Sequence, residues 1–151
     1  MIRFGVLGAA RITPAALIYP CMNEPLAHIT VIAARDRDKA NAFATAHHIG
    51  TVCDSYLDVV DHEKINALYN PLHIPAHHPW TMAALKAGKH VLCEKSLACN
   101  ANEAREMNQL AKDQGLVLMD AFHYRYHPLF ARMKNIVASG ELGTISSIDA
   151  A

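Results

Sequence analysis

Met1-Ile2-Arg3-Phe4-Gly5-Val6-Leu7-Gly8-Ala9-Ala10-Arg11-Ile12-Thr13-Pro14-Ala15 is an apolar run that ends in small residues and passes into an Ala-rich helical pattern. It reads as a buried strand, a tight turn and a helix N-terminus. The first N–H groups of a helix lack intrahelical partners and lie at the positive end of its dipole, so this junction suits a pyrophosphate. Small side chains let a phosphate approach that backbone. The dinucleotide pattern G-x-G-x-x-G is present only as Gly8-x-Ala10-x-x-Thr13, with one glycine of three. By itself the turn fits any α/β protein as well as it fits a nucleotide site.

Strand and helix patterns alternate beyond it. His28 to Ala34 is a β-branched run, Asp38 to His47 an Ala-rich helix, and Thr51-Val52-Cys53 a short third strand. Ser55 reads as an N-cap, and Ile65 to Tyr69 as a fourth strand. A helix from about Ala76 to Ala87 stops at Gly88. Strand His90 to Cys93, helix Ala101 to Gln114, strand Leu116 to Met119 and helix Pro128 to Ser139 complete the pattern. Six strands separated by helices predict a doubly wound parallel sheet with right-handed crossovers, which binds ligands at the carboxyl ends of its strands.

Composition narrows the class. The 151 residues, 52% of them hydrophobic, suffice for one good core. No apolar run approaches the roughly 18 to 20 residues that span a bilayer, and no export signal is expected at the N-terminus. Cys21, Cys53, Cys93 and Cys99 lack C-x-x-C spacing, which predicts reduced thiols and a cytoplasmic protein. A formal net charge of zero offers no basic face for nucleic acid or for a membrane surface.

The end of the second strand bears on the choice of cofactor. An acidic residue there would accept from the 2′-hydroxyl of NAD. Here the sequence is Ala33-Ala34-Arg35-Asp36-Arg37-Asp38-Lys39. Ala34 leaves room for a 2′-phosphate and Arg35 can grip it through its planar fork, so the reading favours NADP, with NAD possible. The plainer reading makes Arg35 and Asp36 an exposed pair at a helix start.

Ala87-Gly88-Lys89-His90-Val91-Leu92-Cys93-Glu94-Lys95-Ser96 resembles the AGKHVLCEKP signature of the Gfo/Idh/MocA family of NAD(P)-dependent oxidoreductases. Gly8 to Ile12, Ala33 to Asp36, Tyr69-Asn70-Pro71-Leu72 with His77, and Asp120 to Pro128 resemble further family motifs, in family order. Within it the chain is most similar to the NADP-using branch that includes glucose–fructose oxidoreductase, xylose dehydrogenase and dihydrodiol dehydrogenase. The resemblance implies a Rossmann domain over residues 1–124 with strand order 3-2-1-4-5-6. It also implies that residues 125–151 are the linking helix and first strand of a second, α+β substrate domain that is missing here. The isolated chain is therefore expected to bind cofactor without turning over, and the full-length parent to be a homo-oligomer.

The resemblance also implies roles. Backbone at Gly8, Ala9, Ala10, Arg11 and Ile12 would hold the pyrophosphate, with Ala34 and Arg35 at the 2′-phosphate. Pro71, Leu72 and His77 would line the nicotinamide half, Glu94 and Arg125 would contact the cofactor, and Lys95 would reach the reacting carbon of a sugar-like substrate. A lysine at the carboxyl edge of a buried strand, beside a cationic nicotinamide, is suited to proton transfer. Unlike the family pattern, Ser96 follows the lysine where proline is usual, and His73 and Ile74 stand where Pro and Asn are common. The implied function is hydride transfer between NADP and a sugar, polyol or related hydroxy compound. The alternative is a non-catalytic, dinucleotide-sensing regulator on the same scaffold.

Ten histidines raise the question of a metal. His73, His77 and His78 cluster, and His123 and His127 are four apart. Pro75 and Pro128 interrupt both groups, so no metal site is expected.

Overall fold

The computed structural model describes residues 1–149. It divides them into two compact units, Met1–Ala121 and a second that starts at Phe122. The first is built on a six-stranded sheet of β1 (Ile2–Leu7), β2 (Ala27–Ala33), β3 (Thr51–Val52), β4 (Ala67–Asn70), β5 (His90–Cys93) and β6 (Leu118–Asp120). The spatial order is β3-β2-β1-β4-β5-β6. Every pairing is parallel, so all carboxyl ends share one edge. In register at that edge stand Asn70, Cys93 and Asp120.

The crossovers are helical. A wide π-helical turn, Pro14–Ile18, runs into α1 (Tyr19–Met22), in place of the regular helix that the Ala-rich pattern suggests. Pro20 explains the difference: it has no N–H for the Ala16 carbonyl and its ring crowds that carbonyl, so the turn opens and Tyr19 N donates to Pro14 O instead. α2 (Arg37–Ala46) is capped by Asp36, whose carboxylate accepts from Lys39 N at 3.1 Å. α3 (Tyr56–Val60) carries a capping box in which Ser55 and Asp58 each satisfy the other's backbone. α4 (His77–Lys86) and α5 (Ala101–Asp113) follow, the latter capped by Asn100.

Two apolar clusters cover the two sheet faces. Leu7, Val31, Leu68, Leu85 and Val91 lie in one, Val6, Ile32 and Tyr69 in the other. Gly5 is required where β1 passes α3: a Cβ there would stand 2.6 Å from Val59 Cγ1 and 2.7 Å from Ile65 Cδ1. β6 starts two residues later than its apolar pattern suggests. Leu116 N still serves the Ala111 carbonyl at the end of α5, and Val117 N donates to His90 Nδ1 at 3.0 Å.

In the second unit, a 3-10 turn (His123–Tyr126) leads to α6 (Pro128–Ser139), where His127 Nδ1 accepts from Leu129 N at 3.1 Å as the N-cap. Gly140 ends α6 with φ 77°. The expected strand beginning at Thr144 does not form in residues 144–149. A β-pattern needs a neighbouring strand for its N–H and C=O groups; Ala150 and Ala151 lie outside the described residues.

Candidate functional site

The β1 chain leaves the sheet at Leu7, and Gly8 turns it with φ 84° while its N–H donates to Ala33 O at 2.6 Å. A side chain at residue 8 would stand 3.0 Å from Leu72 Cδ2 and 3.6 Å from the Tyr56 hydroxyl. The backbone is thereby bare toward a groove of about 580 Å³ along the carboxyl edge. Gly8, Ala9, Ala10, Ala34, Arg35, Pro71 and Leu72 all line it, which brings together the turn after β1, the end of β2 and the loop after β4.

The end of this groove beside β2 is cationic. Arg37 pairs with Asp54, and Lys39 Nζ lies 3.4 Å from Asp36 Oδ2. Arg35 is exposed on the groove with no acidic partner among the described residues. The Lys39 N–H, more than any other group, holds the Asp36 carboxyl below its usual range. Lys39 itself also lines the groove.

Sequence reasoning missed several lining residues: Lys39, Tyr56, Ala76 and Trp80. Tyr56 and Trp80 meet edge to face, with ring centroids 5.2 Å apart. The available signal was positional, since α3 and α4 each begin just past the carboxyl end of a strand.

The other half of the expected site is arranged differently from the expectation. His77 does not line the groove: it is completely buried. Its Nε2 lies 2.7 Å from Leu72 O and its Nδ1 2.8 Å from Ser96 O, so neither nitrogen is free for a cofactor. Glu94 is 7% exposed, and its carboxylate accepts from Tyr69 Oη at 2.8 Å and from Lys95 N at 3.2 Å. Burial, and then the Glu94 hydrogen bond, push the Tyr69 hydroxyl far above its ordinary range. Lys95 is exposed at the end of β5, outside the groove lining, and the Lys95–Ser96 peptide is cis. Arg11 and Ile12 are exposed beyond the turn, and Arg125 is exposed on the 3-10 turn of the second unit.

Beneath this edge lies a row of buried polar groups. Asn70 Nδ2 donates to His77 O and to Thr81 Oγ1, each at 3.3 Å. Burial pushes the Cys93 thiol up to about 12. Burial, and then the charge of Glu94, raise the Asp120 carboxyl, whose Oδ1 is buried without a partner. His78 diverges from His77, its Nε2 lying 2.9 Å from Glu106 Oε2. No group of three or more His, Cys, Asp or Glu among the described residues is arranged to hold a metal ion. All four cysteines are free, and no helix is long and apolar enough to cross a membrane among the described residues.

Comparison with known proteins places this geometry. The chain is 39% identical over 145 residues to a D-xylose 1-dehydrogenase (NADP(+)) of Haloferax volcanii, covering 96% of this chain and 44% of that protein. It is 37% identical over 158 residues to a dTDP-3,4-didehydro-2,6-dideoxy-alpha-D-glucose 3-reductase of Streptomyces antibioticus, covering 99% of this chain and 45% of that one. Among solved structures, a 3-ketoreductase from Actinomadura kijaniata in complex with NADP superposes with a TM-score of 0.86 at 33% identity, over 95% of this chain and 46% of its own. The chain thus spans less than half the length of these relatives. Residues 2–122 match the oxidoreductase family with an NAD-binding Rossmann fold, and the chain belongs to that family, Gfo/Idh/MocA, as a dinucleotide-binding domain.

Proposed function

We propose that this chain is the cofactor-binding half of an NADP-dependent oxidoreductase acting on a sugar or a related polyol or hydroxy compound. The observation that carries the reading is the groove itself, in which a bare left-handed turn at Gly8 and an Arg35 without an acidic partner among the described residues face the same space. The residues fit a dinucleotide: the space a Cβ would fill at Gly8 admits a pyrophosphate to the N–H groups of the turn. Arg35, supported by Lys39, supplies positive charge where a 2′-phosphate would lie. Pro71 and Leu72 form an apolar wall for the nicotinamide end. When bound, the cofactor accepts or supplies a hydride.

Lys95 Nζ, exposed beyond β5, is the group assigned to hold or move the proton of a substrate hydroxyl. Glu94 serves by fixing the strand end rather than by reaching outward. Residues 1–124 are assigned to the dinucleotide domain and those from 125 on to the passage into a substrate domain. The relatives are named for redox activities on sugar-type compounds, which favours an enzyme over a regulator. Four free thiols fit a reducing compartment such as the cytoplasm.

Calorimetric titration of the chain with NADP and with NAD tests the cofactor assignment. NADP is expected to bind more tightly, and equal affinities would overturn it. In the full-length parent, Lys95→Met is expected to lower turnover at least about a hundredfold with cofactor affinity retained; unchanged turnover removes Lys95 from the chemistry.

A further inference from the structure

His77 joins two loops that no other side chain connects among the hydrogen bonds of the described residues. Its Nε2 meets the Leu72 carbonyl in the loop after β4, and its Nδ1 meets the Ser96 carbonyl in the loop after β5. Leu72 is a wall of the dinucleotide groove, and Ser96 follows Lys95. A carbonyl oxygen only accepts, so each of these short contacts takes an N–H from the ring, and a ring that serves both carries a proton on each nitrogen. A neutral imidazole has one N–H and would present a lone pair to the second oxygen at under 3 Å.

The surroundings suit such a ring. Its own backbone carbonyl is held by Asn70 Nδ2, so the residue is fixed at its main chain as well as at both ring nitrogens. Asp120, at the end of β6, is the carboxylate whose charge acts on His77, and its buried Oδ1 has no hydrogen-bond partner. The Asn70 side chain that holds the His77 carbonyl also donates to the Thr81 hydroxyl, one turn further along α4.

We infer that His77 is a positioning residue that donates from both ring nitrogens, tying the groove wall at Leu72 to the strand end at Ser96 and so setting where Lys95 stands relative to the cofactor. Its use in catalysis rests on the assignment of Lys95, but the tie itself does not. A neutral core histidine pairs one donor and one acceptor nitrogen; this ring meets two carbonyl oxygens, one in each of two loops.

The test is nitrogen-15 NMR of the histidine-labelled chain, with His77 identified by its loss in His77→Gln. One-bond N–H correlations from both ring nitrogens of His77 are the expected result; a single protonated nitrogen would overturn the inference. Hydrogen exchange then compares His77→Gln with the parent chain. Faster exchange at amides around both residue 72 and residue 96, with the remainder unchanged, supports the tie, and unchanged exchange at either loop refutes it. If the variant does not fold, the signals are assigned by through-bond experiments on the unaltered chain, which decides the matter alone. Titration with NADP keeps the two readings apart: absence of NADP binding with a doubly protonated His77 counts against the cofactor assignment and leaves the tie standing.

Discussion

The Tyr69 hydroxyl donates to Glu94 Oε1 at 2.8 Å within the protein interior, across the β4–β5 boundary. Glu94 is buried, and no cation pairs with it among the described residues. One neutral hydroxyl and one backbone N–H are the partners of this carboxylate. Tyr69→Phe removes the hydroxyl and leaves an oxygen desolvated, a change expected to cost about 1–3 kcal/mol. Urea unfolding of the two chains measures it; a loss indistinguishable from zero means that the bond contributes nothing to the fold.

Arg35→Ala separates the two cofactors. Charged hydrogen bonds contribute about 1.5–3 kcal/mol, so NADP should bind about ten- to 150-fold more weakly while NAD binding holds. Trp80, the single tryptophan of the chain, lines the groove, and its emission provides the signal. A parallel loss for both cofactors would show that Arg35 supports the groove rather than a 2′-phosphate.

Gly8→Ala places a Cβ at a φ of 84° and 3.0 Å from Leu72 Cδ2. The left-handed backbone alone costs about 1–3 kcal/mol. Stability is expected to fall by that amount in a thermal or urea titration, and NADP affinity by at least about tenfold because the methyl occupies the space of the pyrophosphate. Retained affinity in a destabilised chain would place the phosphate elsewhere.

Asp120→Asn should act through pH. Burial, the largest cause, raises the Asp120 carboxyl in the fold, so its ionised form is disfavoured there relative to the unfolded chain. The fold therefore loses stability as pH rises from the ordinary aspartate value, about 3.9, through the raised one. The asparagine variant, which cannot ionise, is expected to melt higher than the parent at pH 7, with the gap closing toward pH 4. A variant that melts lower at pH 7 would mean that the ionised carboxylate, facing His77, stabilises the site.

What was legible in the sequence was chemistry carried by near neighbours. Ser55, and Gly88 after Lys86, mark their helix ends because a cap is made within three residues. The alternation of strands and helices led to the parallel sheet and the resemblance to its strand order, and Arg35 stands on the groove where the β2 pattern put it. The role of His77 was not legible, since it depends on carbonyls five and nineteen residues away that only the fold brings to its ring. Nor was the late start of β6, which rests on His90, 27 residues from Val117. Tyr56 and Trp80 meet on one wall only because the fold brings them together. The opened turn at Pro14–Ile18 departs from the Ala-rich pattern because Pro20 stands inside the first crossover and not at its end.

The groups assigned to discriminate a 2′-phosphate are confined to residues 34–39, between the buried end of β2 at Ala33 and the first buried residue of α2 at Ala40. This segment is exposed or half-exposed, contributes nothing to either apolar cluster, and is anchored by its own cap at Asp36. On that assignment cofactor preference is modular: grafting these six residues from a relative is expected to exchange it while leaving both apolar clusters untouched. A lineage on this scaffold can change its redox currency while its core sequence stays as it is.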